Sequence, residues 1–209
     1  MLLRKLKTAT QINRVFLERF CFPGMRAIDA TLGKGNDTLM LLELGHPDGK
    51  VYGFDIQEEA IRLTESKLAH LDRNRYELFH TGHEHIVDKV LESVDLAIFN
   101  LGYLPTGDKG ITTMTETTTC GIGQAFDRLK VGGLLIVTVY PGHEEGAREA
   151  SAIGVWLSGQ PQQVADVLHF QFVNHQNAPP QTYILEKRSE SALLPIAYKE
   201  EGQNENLGH

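Results

Sequence analysis

Several stretches of the chain carry residues whose types and spacing suit chemistry. The first is Ala27-Ile28-Asp29-Ala30-Thr31-Leu32-Gly33-Lys34-Gly35-Asn36-Asp37-Thr38, an apolar run that opens into a glycine-rich turn and then a helix start. Gly33 and Gly35 permit close approach of a ligand to the backbone, and a helix start offers N–H groups with no partner inside the helix. Next comes Phe54-Asp55-Ile56-Gln57, with Asp55 20 positions beyond Gly35 (55 − 35). A carboxylate there can accept hydrogen bonds from both hydroxyls of a ribose, with Ile56 and Gln57 flanking the base. Thr81-Gly82-His83 follows the next apolar run at the corresponding position, and Asp29 favours a positively charged part of the same ligand. Together these spacings point to a nucleoside-containing cofactor. Thr38 stands where G-x-G-x-x-G would end, which counts against NAD, and no hydride-transfer acid is recognisable.

A second set of residues suits an acceptor. It comprises Asn100-Leu101-Gly102-Tyr103-Leu104-Pro105, the loop Thr106-Gly107-Asp108-Lys109-Gly110 and the turn Tyr140-Pro141-Gly142-His143. Lys109 suits a phosphate contact, and His143 suits proton removal or acceptor binding. Each feature has a plainer reading as well. An Asp after a strand can be a helix cap, a glycine-rich turn only a turn, Lys109 an exposed loop lysine and His143 a helix-start residue. His80, His83, Glu84 and His85 do not read as a metal site, because His83 and His85 at spacing two cannot share one side of a helix.

These segments must be positioned by strand ends. Apolar runs bounded by Gly, Pro or Asp alternate with stretches of helical periodicity, the pattern of βαβ units. The spacing predicts strands over 25–30, 51–56, 75–80, 94–101, 134–140, 164–174 and 182–187, with helices near 37–44, 58–71, 83–91, 115–129 and 144–157. The last two strands are joined by 176–181, where Pro179 and Pro180 exclude a helix, so the chain closes on an antiparallel hairpin. The fold class is therefore α/β and Rossmann-like: a seven-stranded, mostly parallel sheet with a C-terminal antiparallel hairpin and helices on both faces, resembling class I methyltransferases. Ahead of the first strand, Ile12, Val15, Phe16 and Phe20 form a helical stripe over 8–20 that packs on the domain or caps the site. One domain over 1–188 and a flexible polar tail over 189–209 are expected.

Composition narrows the classes. A 41% hydrophobic and 22% charged chain is typical of a globular protein, and no apolar run reaches the roughly 18–20 residues that span a bilayer. The first ten residues lack a signal-peptide pattern and Cys21 and Cys120 read as reduced thiols, so a cytoplasmic location is expected. A net charge of −7 argues against indiscriminate phosphate binding, yet Arg4, Lys5, Lys7, Arg14 and Arg26 form a local basic cluster, while Glu200, Glu201 and Glu205 acidify the end.

Asn100-Leu101-Gly102-Tyr103 resembles the Asn-Pro-Pro-Tyr motif of amino-methyltransferases, with Leu101 and Gly102 in place of the prolines. In that motif the Asn oxygen accepts a hydrogen bond from the target amine and the aromatic ring packs on the acceptor. An alkyl amine has a pKa of about 10, so a site that methylates it must favour the neutral form. With the glycine-rich turn, Phe54-Asp55-Ile56-Gln57, Gly107-Asp108-Lys109 and Tyr140-Pro141-Gly142-His143, the chain is similar from about Leu6 to Lys187 to the MnmM family of transfer-RNA methyltransferases.

The resemblance implies S-adenosyl-L-methionine as methyl donor, S-adenosyl-L-homocysteine as product and no metal. It also implies methylation of the amine of 5-aminomethyl-2-thiouridine at the wobble position of transfer RNA, and a homodimer. On this pattern Asp29, Thr31, Gly33, Gly35, Asn36, Asp37, Thr38, Asp55, Ile56, Gln57, Gly82, His83, Asn100 and Leu101 serve the cofactor. Methyltransferases, which the chain resembles, hold the adenine edge at the place of Thr81-Gly82-His83. Asn100, Tyr103 and His143 serve catalysis, and Gly102, Tyr103, Lys109, Tyr140, Pro141 and His143 serve the acceptor. Rival readings are an N-methyltransferase of ribosomal RNA or a small amine, and a non-catalytic cofactor-binding RNA chaperone.

Overall fold

The computed structural model describes residues 8–102 and 115–196. In chain order the elements are α1 (Ala9–Phe20), β1 (Arg26–Asp29), α2 (Asn36–Leu44), β2 (Lys50–Asp55), α3 (Glu58–Leu68), β3 (Tyr76–His80), α4 (Ile86–Lys89), β4 (Val94–Leu101), α5 (Thr115–Arg128), β5 (Leu129–Val139), α6 (Glu144–Ser158), β6 (Ala165–Gln171) and β7 (Gln181–Lys187). The strands form one sheet in the order β3-β2-β1-β4-β5-β7-β6. β1 to β5 run parallel, and β7 inserts antiparallel between β5 and β6, as the expected Rossmann-like sheet and hairpin require.

The period-two alternation of strand side chains sorts them between two cores. Ile28, Ala97, Phe99, Leu135, Val137 and Leu185 meet Ile86 of α4, Ile122 and Phe126 of α5 and Ile153 and Trp156 of α6. Ala27, Leu96, Ile98, Ile136 and Ile184 face the other way, onto Leu17 of α1, Leu41 and Leu42 of α2 and Leu68 of α3. Burial on both faces explains why the strands read as near-continuous apolar runs. Between β1 and β4 the strand order reverses, and in open α/β sheets the carboxyl ends of such neighbours part to leave a ligand crevice. Among the described residues no helix is long and apolar enough to cross a membrane.

Several local expectations are corrected. The helix anticipated over 83–91 is a 3-10 turn at His83–His85 followed by the single turn α4. Side chains of α5 take over backbone groups that a longer helix would pair itself: Val87 N donates to Gln124 Oε1 at 3.0 Å, Gln124 Nε2 to Glu84 O at 2.6 Å and Arg128 Nη2 to Val87 O at 3.0 Å. β5 begins five residues early, at Leu129, because Gly132 at φ 83 lets the chain bulge and resume its pairing at Leu134. β6 ends at Gln171, where the Phe172 ring turns to stack on His175 with centroids 4.3 Å apart.

On α1 the buried face is Ala9, Asn13 and Leu17, while Val15 and Phe20 are exposed. An asparagine can occupy that face because Asn13 Nδ2 donates to the buried Thr138 hydroxyl at 2.8 Å. The tail expected to be flexible from residue 189 stays docked as far as 196: Leu193 is buried, Trp156 Nε1 donates to Leu194 O at 2.6 Å and Leu194 N to Gln160 Oε1 at 2.8 Å.

Candidate active site

The carboxyl ends of β1, β2, β4 and β5 open onto one cavity of about 940 Å³, within the roughly 300–1,000 Å³ usual for small-molecule sites. Its first half is a set of backbone clamps. Leu32 N donates to Phe54 O at 3.0 Å, which ties the β1 turn to the end of β2. Gly33 N donates to Asp55 Oδ2 and Gln57 N to Asp55 Oδ1, each at 2.9 Å, so both carboxylate oxygens are braced from behind. Beside them Ile56 lines the cavity and is 47% exposed. Gly35 has φ 66, and a Cβ there would lie 2.7 Å from Thr64 Oγ1, so both its backbone and the packing of α3 demand glycine.

Asp29 is fully buried behind this wall. Its Oδ1 accepts from Thr31 N at 3.2 Å and its Oδ2 from the Thr38 hydroxyl at 2.6 Å. Burial pushes its carboxyl up to about 7; nearby Asp37 and, more weakly, Asp55 add to the rise, and the bonds from Thr38 and Thr31 oppose it. Burial likewise raises Asp37, against the pull of Lys67. His83 is buried edge-on to Phe99, with centroids 5.4 Å apart, and Gly121 leaves room for its ring. Burial lowers its pKa against the opposing pull of Glu84, the Ala30 carbonyl and Asp55, which favours a neutral ring.

The second half gathers around Asn100 at the end of β4. Its backbone N donates to the Thr31 hydroxyl at 2.8 Å and its Nδ2 to Asp37 Oδ2 at 2.6 Å. Its Oδ1 is buried without a hydrogen-bond partner among the described residues. A Cβ on Gly102 would touch the Tyr140 ring at 3.7 Å, so these two positions form one wall. Burial raises the Tyr140 hydroxyl pKa, opposed by a hydrogen bond with the Thr10 side chain, while Asp37 adds to the rise. His143 is the N-cap of α6, its Nδ1 accepting from Gly146 N at 3.0 Å. A neutral ring that accepts at Nδ1 carries its proton on Nε2. The helix-start reading holds, and the same residue lines the cavity.

Thr31, Gly33, Asn36, Asp37, Asp55, Ile56, Gln57, Gly82, His83, Asn100, Gly102, Tyr140 and His143 line the cavity. Asp29, Gly35, Thr38 and Leu101 are buried outside its lining, and Pro141 is not part of it. Tyr103 and Lys109 lie outside the described residues, as do Arg4, Lys5 and Lys7. The lining also includes residues that sequence reasoning missed: Thr10 on α1, Thr117 on α5 and Asn177, Ala178, Pro179 and Pro180 between β6 and β7. The proline pair signalled a turn; nothing local signalled that the turn would reach this cavity.

Residues 51–186 match a protein family described as “Putative rRNA methylase”. The chain is 35% identical over 194 residues to the chloroplastic tRNA (mnm(5)s(2)U34)-methyltransferase of Arabidopsis thaliana, covering 88% of this chain and 71% of that protein. Among solved structures it resembles a “putative rRNA-methylase” of Clostridium thermocellum at TM-score 0.84 and 35% identity, over 88% of this chain and 100% of the other. It also resembles SMU.1697c, a “putative methyltransferase” of Streptococcus mutans crystallised in complex with SAH, at TM-score 0.78 and 37% identity over 87% and 99% of the two chains.

Proposed function

This chain belongs to the rRNA-methylase family just described and is a methyltransferase, and on that premise we propose its reaction. It transfers a methyl group from S-adenosylmethionine to the amine of 5-aminomethyl-2-thiouridine at the wobble position of transfer RNA, giving 5-methylaminomethyl-2-thiouridine. The observation that carries the reading is Asn100, whose amide NH₂ is held by Asp37 while its buried oxygen has no partner among the described residues. A primary amine brought to that wall supplies the missing donor. The transfer-RNA substrate is supported by the plant relative's name, and the cofactor by the SAH in the Streptococcus mutans protein.

The residues present fit that cofactor. Asp55, braced by two backbone amides, keeps lone pairs for ribose hydroxyls, and the exposed side of Ile56 suits an adenine face. Gln57, Gly82 and His83 stand at the same end, and Thr31, Asn36 and Asp37 at the other, with Gly33 in the turn between and Asp29, Gly35, Thr38 and Leu101 supporting from behind. When bound, S-adenosylmethionine supplies an electrophilic methyl group on a cationic sulfur.

Asn100 Oδ1 accepts one N–H of the amine and so aims its lone pair. Burial in the cavity disfavours the charged ammonium, whose ordinary pKa is about 10. Tyr140 with Gly102 walls water from the amine, and we assign His143 to binding the acceptor or to taking the proton that the ammonium sheds. We assign Tyr103 to packing on the uracil ring, Lys109 to a backbone phosphate and Pro141 to shaping the Tyr140–His143 turn. We assign the reaction to the cytoplasm on the sequence expectation alone; the plant relative is named as chloroplastic.

Nucleoside mass analysis of transfer RNA carrying the aminomethyl-thiouridine, incubated with the protein with and without S-adenosylmethionine, tests the reading. One added methyl on that nucleoside, only with cofactor, is the expected result. Methylation of ribosomal RNA, which the family description names, or of a small amine would instead move the substrate while keeping the chemistry.

A further inference from the structure

Behind the acceptor wall lies a second cavity of about 10 Å³, lined by Thr10, Asn13, Asp37 and Asn100 together with apolar groups such as Leu17 and Ile98. Asn13 is an anomaly of α1, since it sits in the buried stripe four residues from both Ala9 and Leu17, where packing alone would select an apolar side chain. Both amides that line this cavity have their NH₂ groups committed to acceptors: Asn13 Nδ2 to Thr138 Oγ1 at 2.8 Å and Asn100 Nδ2 to Asp37 Oδ2 at 2.6 Å. The Asp37 carboxylate orients the Asn100 amide with its oxygen turned away, and Asn13 presents its Nδ2 to the Thr138 hydroxyl. Both amide oxygens are buried with no hydrogen-bond partner among the described residues. Buried acceptors are almost always paired, because leaving them dry forfeits their hydration without return. A space on the order of 10–15 Å³ admits one water centre, and a water has two protons to donate.

We propose that this cavity is a binding site for a single water molecule that bridges Asn13 Oδ1 on α1 and Asn100 Oδ1 on β4, which makes Asn13 a positioning residue for the amine-holding amide. The inference rests on the assignment of Asn100 to the amine. A carbonyl oxygen has two lone pairs, so the water occupies one and fixes the other toward the acceptor. Thr138 Oγ1 lies 3.2 Å from Thr182 Oγ1, so the polar chain runs from β7 through β5, α1 and β4 to Asp37 on α2. The N-terminal helix, which also contributes Thr10 to both cavities, is thereby coupled to the residue that orients the nucleophile.

Asn13→Leu fills the space and removes the oxygen, while Thr138 keeps Thr182 as partner, so the fold is not left with an unpaired hydroxyl. Asn13→Ser keeps an oxygen and leaves room for water. The full-length protein and both variants are crystallised with S-adenosylhomocysteine, and single-turnover methylation is measured at saturating transfer RNA alongside S-adenosylhomocysteine affinity. In the wild type an ordered water is expected within about 2.6–3.2 Å of both amide oxygens. Asn13→Leu loses it and slows methyl transfer about tenfold or more, with affinity for S-adenosylhomocysteine within about twofold, whereas Asn13→Ser keeps most of the rate. A dry cavity in the wild type, an Asn13→Leu rate equal to wild type, or an Asn13→Ser as slow as Asn13→Leu overturns the proposal. Should the wild type methylate no amine-bearing transfer RNA, the assignment of function fails, and the crystallographic water alone then decides whether the site exists.

Discussion

The carboxylates of one half of the cavity and the amide of the other treat their oxygens differently, although His83 Nε2 in the first half is also buried with no hydrogen-bond partner among the described residues. In the half formed by β1 and β2, Asp55 and Asp29 have both oxygens satisfied, by Gly33 and Gln57 in one case and by Thr31 and Thr38 in the other. In the half formed by β4, β5 and the β6–β7 connection, the Asn100 oxygen has no hydrogen-bond partner among the described residues, and Asn177 and Ala178 hold φ of 64° and 45°. The contrast suits the proposed chemistry. A cofactor site gains from rigidity before binding, whereas a group that finds its partner only when the acceptor arrives can spend that interaction on orienting the reaction.

The most severe way to break this contrast is to damage one half and watch the other. Asn100→Ala is expected to slow methyl transfer roughly 10²–10³-fold, the cost typical of losing one preorganised polar contact, while cofactor affinity stays within about threefold. Asp55→Ala should do the reverse, weakening cofactor binding about 30- to 100-fold with the saturated rate nearly kept. Calorimetry and single-turnover kinetics on both variants decide it; if either substitution moves both quantities equally, the halves are not separable.

A smaller effect comes from Asp29. Its carboxyl, raised to about 7, holds a proton that the unfolded chain releases near pH 4. Its contribution to stability is therefore complete below about pH 4, declines as pH rises and is gone above about 7. A cationic cofactor favours the ionised form, so affinity for S-adenosylmethionine should rise with pH up to about 7 and binding there should release protons. Calorimetry in buffers of different ionisation enthalpy measures the release, and Asp29→Asn should flatten both profiles. A pH-independent affinity in the wild type would remove Asp29 from this role.

The smallest effect sharpens the acceptor side. Ala178 cannot relieve its positive φ with a side-chain hydrogen bond, so Ala178→Gly should raise stability by about 0.5–1 kcal/mol once the unfolded-state entropy of glycine is deducted. A melting temperature about 1–3 °C higher is the expected reading. A lower one would show that the left-handed turn is not strained.

Much of this protein was legible before its structure. Alternation of apolar runs and helical periods is a local property, so the strands, the terminal hairpin and the glycine-rich turn after β1 could be read from neighbours in the chain. So could the acidic residue at the end of β2 and Asn100 at the end of β4, because a parallel α/β sheet delivers all its carboxyl ends to one edge. What tertiary structure alone decided is which distant groups meet there. Thr117 and Asn177 to Pro180 reach the cavity from α5 and the hairpin connection, an approach no local pattern encodes, while Thr10 comes from the helix whose stripe suggested either packing on the domain or capping the site. Tertiary partners also overrode the helix over 83–91, since Gln124 and Arg128 satisfy its backbone from α5. They set the protonation of Asp29 and the orientation of the Asn100 amide as well, because desolvation and hydrogen-bond geometry depend on everything packed around a group, whereas the sequence specifies only what lies beside it along the chain.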